Sequence, residues 1–413
     1  MIKFLDKEKG MKFYMKKNIF LIYIHTFLST FILYYICDTL FYIERGLNTS
    51  QYISFVGISF FISLLFEIPF GIIADRYNKK LLLLISNILF ILSTIIFIYS
   101  YNYFTFLIAI IINAINNSLS SGITNSILYE NLDNKDEFSQ ILFCNSFFYN
   151  ISYLIAMIIG GYIGQKFGLI YTYYITIIPF IIDFIVLLML KTNNTIKNVN
   201  VESNISVLKN GINEVVKNSY LSKLILTSSI LFSGIKLVEE SHPEYSTNIG
   251  ISVFMIGIYT SFILLFCIMG NYIGSKIKKN QYNFVLNIHP IISGACILLI
   301  GLLNNYFGII FILLIYIFSE SFDNIMKSEL HNNISSKSRV TVESINQFVL
   351  GIFGVIFSLL MTILLNFVNI NTMYVIIGII IILFGIFSLI KLKVVKTNCS
   401  SIGCKLQNIK YYK

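Results

Sequence analysis

Apolar residues in this chain fall in long runs separated by short polar breaks, and the runs recur at nearly even spacing. At a helical rise of about 1.5 Å per residue, about 20 apolar residues match the roughly 30 Å hydrocarbon layer of a bilayer. The pattern predicts membrane helices near 19–42, 51–74, 80–100, 103–128, 139–164 and 168–190. A second set is predicted near 222–240, 251–275, 284–303, 305–328, 342–365 and 370–390. The longest polar interruption, 191–221, lies between the sets and divides the chain almost in half. The expected organisation is a cytoplasmic tail (1–18), a six-helix bundle (19–190), a cytoplasmic linker (191–221), a second six-helix bundle (222–390) and a basic tail (391–413). The fold class is all-α and integral to the membrane, with twelve transmembrane helices in two six-helix halves. The first run exceeds the about 7–15 residues of a signal-peptide core and no small-residue cleavage site follows it, so it is expected to stay as a helix. In the linker, Ile205, Leu208, Ile212, Val215 and Val216 form an amphipathic stripe suited to lying on the inner leaflet.

Composition and charge sharpen this picture. Hydrophobic residues make up 56% of the chain and charged ones 12%, against about a quarter charged in soluble domains. Placing the N-terminus in the cytoplasm puts 27 of the 30 lysines and arginines on the inner side, leaving Arg45 and Lys166 outside and Lys236 within a helix. That asymmetry follows the positive-inside rule and predicts a multi-pass protein of the cell (plasma or inner) membrane with both termini cytoplasmic. It also accounts for the formal charge of +10 through contact with anionic lipid, so no nucleic-acid partner is expected. Cys37, Cys144, Cys267 and Cys296 stand singly in helices, and Cys399 and Cys404 fall in the basic tail, where reduced thiols are expected. With no histidine beside that last pair, neither a metal site nor another cofactor is expected.

The loop after the second apolar run reads Gly71-Ile72-Ile73-Ala74-Asp75-Arg76-Tyr77-Asn78-Lys79-Lys80. It resembles the G-x-x-x-D-R-x-G-[RK]-[RK] signature found between the second and third helices of the major facilitator superfamily. Asn78 stands where that family usually has glycine, which is read here as left-handed backbone that asparagine tolerates. After the eighth run, Gly270-Asn271-Tyr272-Ile273-Gly274-Ser275-Lys276-Ile277-Lys278-Lys279 repeats the glycine and the paired lysines but not the acid and the arginine. Phe66-Glu67-Ile68-Pro69-Phe70-Gly71, the Tyr129-Glu130 ending of the fourth run and Arg339-Val340-Thr341-Val342-Glu343-Ser344 resemble one bacterial branch of efflux carriers within the superfamily. The resemblance implies two bundles related by an axis along the membrane normal and transport by alternating access. It assigns Gly71, Asp75, Arg76, Lys79 and Lys80 to a cytoplasmic gate, with Asp75 capping a helix of the other half and Arg76 pairing with nearby acids. Gly160, Gly161 and Gly164 are expected to pack helices closely. The proline that accompanies such glycines in many drug–proton antiporters is missing.

Ionisable groups inside a membrane span are costly, which makes them the place to look for chemistry. Glu67, Asp38, Asp183 and Glu320 are the proton-coupling candidates, with Glu67 foremost because it lies mid-helix beside Pro69. Asn113, Asn117, Ser120, Ser121 and Asn125 recur at helical spacing in the fourth run, so they share one face that is expected to line a substrate cavity or to bind neighbouring helices. Glu239 and Asp323 complete the cavity candidates. Asp323 and Lys327, and Lys236 and Glu240, have the four-residue spacing that allows pairing. His25 and His289 are expected near the membrane interface.

The reading that follows is a monomeric secondary transporter without enzymatic activity, exporting a small molecule, drug or short peptide in exchange for proton entry. Its expected partners are that substrate, protons and membrane lipids. A proton-coupled or passive importer shares most of these features, and a transporter-like sensor or scaffold shares fewer.

Overall fold

Asparagines open several of the helices. In the computed structural model, which describes residues 17–132, 137–191, 215–332 and 339–401, Asn48 and Asn102 each accept a hydrogen bond from the backbone three residues on, at Gln51 and Thr105. Gln51 and Thr105 reciprocate, so each start is a capping box that satisfies N–H groups a helix would otherwise leave bare. Asn78 caps the next helix through its side chain, which accepts from the Lys80 N–H. Its backbone is extended (φ −64°, ψ 112°) rather than left-handed, which corrects the reason given above for asparagine at this position.

The helices, in chain order, are α1 (Lys17–Ile36), α2 (Thr49–Arg76), α3 (Lys79–Ile98), α4 (Tyr103–Glu130), α5 (Phe138–Phe167) and α6 (Leu169–Met189). They continue with α7 (Ser219–Asn248), α8 (Val253–Lys276), α9 (Tyr282–Leu303), α10 (Phe307–Asn332), α11 (Arg339–Leu364) and α12 (Ile370–Ser401). Among the described residues, twelve helices are long and apolar enough to cross a membrane, matching the expected number. Every regular element among the described residues is helical.

Two helices expected to be continuous are interrupted. In α1 the helix ends near Ser29, Ile32 is extended, and the chain resumes as a short 3-10 turn, Leu33–Ile36, before a further helix, Asp38–Glu44. No glycine or proline sits at this break. Its backbone is held from outside: Leu33 N–H donates to Thr176 Oγ1 at 3.0 Å, and a Cβ on Gly160 would lie only 2.1 Å from the Leu33 carbonyl oxygen. Non-helical backbone at membrane depth persists only where protein satisfies it, and α6 and α5 do so here. In α4 the break falls at Ser121 and Gly122, dividing Tyr103–Ser120 from Ile123–Glu130, and Gly122 takes the left-handed conformation (φ 73°) that glycine adopts without penalty.

Close Cα packing divides the chain into two compact units that cut across the linker boundary. The first holds α1–α6 together with Glu239–Leu265 and Gly351–Ile370; the second holds Val207–Val238, Phe266–Leu350 and the chain from Asn371 onward. The first unit has an aliphatic core around Leu21, Ile22, Leu82, Leu119, Ile127 and Leu187. An aromatic core also lies within it, where Tyr34 stacks on Tyr173 at 4.2 Å and Phe90 on Phe180 at 3.7 Å between ring centres. Gly160 meets α1, and Gly161 meets Gly257 of α8, as the small-residue surface predicts. In the second unit Gly270 and Gly274 of α8 let α10 approach, with Ile317 and Ser321 carbonyls against them.

Candidate functional site

The fourth helix carries its polar groups in two populations. Asn116 is buried and accepts a hydrogen bond from Ser86 Oγ of α3, which ties the two helices, and buried Ser118 bonds back to the Ala114 carbonyl of its own helix at 3.0 Å. Asn117, Ser121 and Asn125 are exposed, Ser120 is half-buried with its hydroxyl on the Asn116 carbonyl, and Asn113 keeps a buried side-chain oxygen without a hydrogen-bond partner. The break at Ser121–Gly122 falls inside this exposed series. A helix interruption leaves carbonyls on one side and N–H groups on the other without in-helix partners, so main-chain and side-chain hydrogen-bonding groups coincide there.

The ionisable candidates separate into different surroundings. Glu67 of α2 is exposed. Asp38 opens the segment after the α1 break and accepts from its neighbour, the Thr39 N–H, at 2.6 Å. Thr39 Oγ1 in turn donates to the Glu240 carbonyl, and Tyr35 Oη donates to Glu239 Oε1 at 2.6 Å. One turn further along α7, Glu244 accepts from Thr49 Oγ1 at 2.8 Å and from Tyr52 Oη at 2.5 Å. Asp183 is fully buried, with His25 Nδ1 at 2.8 Å and 3.0 Å from its two oxygens and Asn87 Nδ2 donating at 2.8 Å. In the second unit Glu320 accepts from Asn271 at 2.8 Å, and Asp323 pairs with Lys327 at 2.6 Å, as the four-residue spacing predicts. His289 is buried and its Nδ1 lies 3.1 Å from the Phe318 carbonyl.

At the loop between α2 and α3, Lys79 Nζ reaches Ser126 and Glu130 Oε1 of α4, the latter at 2.6 Å. Lys80 Nζ donates to the Leu188 and Leu190 carbonyls at the end of α6, at 2.6 Å and 2.8 Å. The paired lysines therefore tie three helices of one bundle, placing positive charge where a helix C-terminus is negative. Glu130, quoted above only as part of a resemblance, gains a defined partner. The side chains of Asp75 and Arg76 lie outside the described residues, as do Cys399, Cys404 and most of the linker stripe. A methyl on Gly71 would meet nothing within 4 Å.

Sequence reasoning missed His25 as a partner of Asp183 and placed it near the interface; the structure buries it. It also missed Asn87, Glu244, Tyr35 and Tyr52. Their partners are distant in sequence, 158 residues for His25 and 192 for Tyr52, so no local spacing announces them. Among the described residues no group of three His, Cys, Asp or Glu side chains is placed to hold a metal ion.

Known structures share this architecture. A variant of the nucleoside transporter NupG superposes with a TM-score of 0.72 at 14% identity, covering 91% of this chain and 99% of its own. A POT family transporter in complex with a thioalcohol-conjugated peptide gives 0.70 at 13% identity over 91% and 96%. A bacterial homologue of the human lysosomal transporter Spinster, inward-facing and unoccupied, gives 0.69 at 13% identity over 92% and 96%. At such identities the likeness is one of fold. No curated protein sequence matches the chain. The sequence profile described as Major Facilitator Superfamily matches residues 19–326, taking in α1 to α9 and most of α10. With twelve membrane-length helices, the signature loop and that match, the chain belongs to the Major Facilitator Superfamily, whose members are secondary transporters.

Proposed function

We propose that this carrier exports a small polar molecule or short peptide from the cytoplasm by alternating access, coupled to proton influx across the cell membrane. The observation that carries the substrate reading is the interruption of α4 within its own exposed polar series at Asn117, Ser121 and Asn125. No lysine or arginine lies between Tyr103 and Glu130, so recognition there works by neutral hydrogen bonds and does not select anions. Export follows the efflux branch resembled by the Glu67–Pro69 run, and the basic loops support cytoplasmic termini. In this reading Asp75 and Arg76 close the cytoplasmic gate and Glu67 carries the proton, with Asp38, Asp183 and Glu320 as further acids on its route. Nucleosides, the class that names NupG, and peptides, one of which the POT family transporter holds, are the first compounds to test.

The test is transport of a labelled panel in vesicles made from the purified chain, with and without an imposed pH gradient. Glu67→Gln should abolish accumulation driven by the pH gradient while exchange down a substrate gradient persists, because the amide resembles the protonated acid. A variant that still accumulates substrate in proportion to the gradient would remove Glu67 from the coupling route.

A further inference from the structure

The Asp183 carboxylate is sealed in the first bundle, with a side chain 1% exposed, and its described polar partners are His25 of α1 and Asn87 of α3. Neither partner carries a fixed charge. An ionised carboxylate in such a place is expensive unless something neutralises it. His25 faces it in a directed way. Its Nδ1 faces both carboxylate oxygens, and an ionised Asp183 selects the tautomer with the hydrogen on that nitrogen, which leaves the Nε2 lone pair as the basic atom of the ring. The ring retains 9% of its side-chain surface open, whereas the acid behind it is closed.

We propose that His25 Nε2 is a proton-binding site of this carrier, with Asp183 and Asn87 as positioning residues. The Nε2 lone pair takes a proton from water; the ring becomes an imidazolium ion-paired with Asp183, and the buried group changes from a net negative charge to a neutral pair. Asn87 Nδ2 remains bonded to the carboxylate in both states and stabilises it before the proton arrives. Among the described residues no further charged group bonds to the pair. Phe90 of α3 and Phe180 of α6 stack on each other, and the Phe180 carbonyl accepts a hydrogen bond from Asn87. On α5, Asn145 faces the neighbouring Thr26, while Tyr23 on α1 donates to the Ile141 carbonyl and has Cys144 close by. Lys80 is the basic residue nearest along these helices, and its ammonium is held by the Leu188 and Leu190 carbonyls, more than a turn past Asp183. The site sits one turn before the α1 break, where Thr30 bonds back to Thr26 at 2.7 Å, so a change of charge is delivered to the least regular part of that helix. Its use in coupling rests on the proton-coupled reading above; the proton site itself does not.

The proton is the probe. Full-length protein carrying nitrogen-15 histidine in lipid nanodiscs is titrated by NMR, with His25→Gln identifying the His25 signal among the four histidines. The expected signal has hydrogen on Nδ1 and none on Nε2 at alkaline pH, and gains the Nε2 proton on acidification. A pH-indicator dye should count one proton fewer taken up by His25→Gln than by the parent protein. Asp183→Asn, which keeps the shape of the side chain, should abolish the fixed tautomer and the paired cation; this guards against the His25 variant failing to fold. An Nε2–H tautomer at alkaline pH, a His25 signal that never gains a proton, or an Asp183→Asn spectrum identical to the parent would each overturn the proposal. A titrating His25 in a protein whose vesicles show no pH-driven transport would instead leave the site standing and remove the coupling reading.

Discussion

Asn78 shows how one motif position can be filled for a different physical reason from the expected one. Its side chain accepts the Lys80 N–H at 2.9 Å and its backbone is extended, so it works as a helix cap. Asn78→Ala should therefore destabilise the protein by about 1 kcal/mol and Asn78→Gly by only a few tenths, since glycine is itself tolerated at a cap. Thermal unfolding in detergent reads the difference; equal losses for both variants would contradict the capping role. The same scale separates what sequence can and cannot disclose. Asp323 and Lys327 were legible as a pair because a helix brings residues four apart together. His25 and Asp183 were not, because only the packing of α1 against α6 brings them into contact across 158 residues.

At the scale of elements, the number of helices was legible from hydropathy alone, but their continuity was not. The α4 break had a local sign in Ser121-Gly122, hidden by the apolar and helix-compatible residues on both sides. For α1 no local sign exists: Thr30, Phe31 and Ile32 read as ordinary membrane helix, and the unwinding is imposed by Thr176 and Gly160. Glycine substitutions test this. Gly160→Ala puts a methyl against the Leu33 carbonyl and should cost about 1–3 kcal/mol of stability, the range for overpacking a tight contact. Gly71→Ala has open space around it and should leave stability unchanged or slightly higher, because alanine favours a helix by up to about 1 kcal/mol. Comparable losses of melting temperature in both would refute the contact-based account. If Gly71→Ala melts normally yet transports slowly, the glycine serves the moving gate.

For the whole molecule, the basic residues at the helix ends make the orientation testable without a substrate. In a variant lacking native cysteines, Tyr99→Cys, at the exposed end of α3, should react with a membrane-impermeant maleimide in intact cells. Tyr77→Cys, exposed at the start of the same helix, should react only after permeabilisation. The opposite pattern would invert the topology. The fold was legible at this scale because lipid imposes a coarse rule on every span, whereas a substrate site depends on a few polar contacts that no rule of composition encodes. The broken α1 also bears on how the chain is made. Its second anchor, Thr176, is synthesised 143 residues after Leu33, and the described helix before the break, Lys17–Ser29, is too short to span the hydrocarbon layer alone. When α1 first enters the bilayer, the partners for its unwound backbone have not yet left the ribosome. The newly inserted segment must therefore begin as an unbroken helix and take its mature, interrupted shape only when α5 and α6 arrive, which makes the break a product of late assembly.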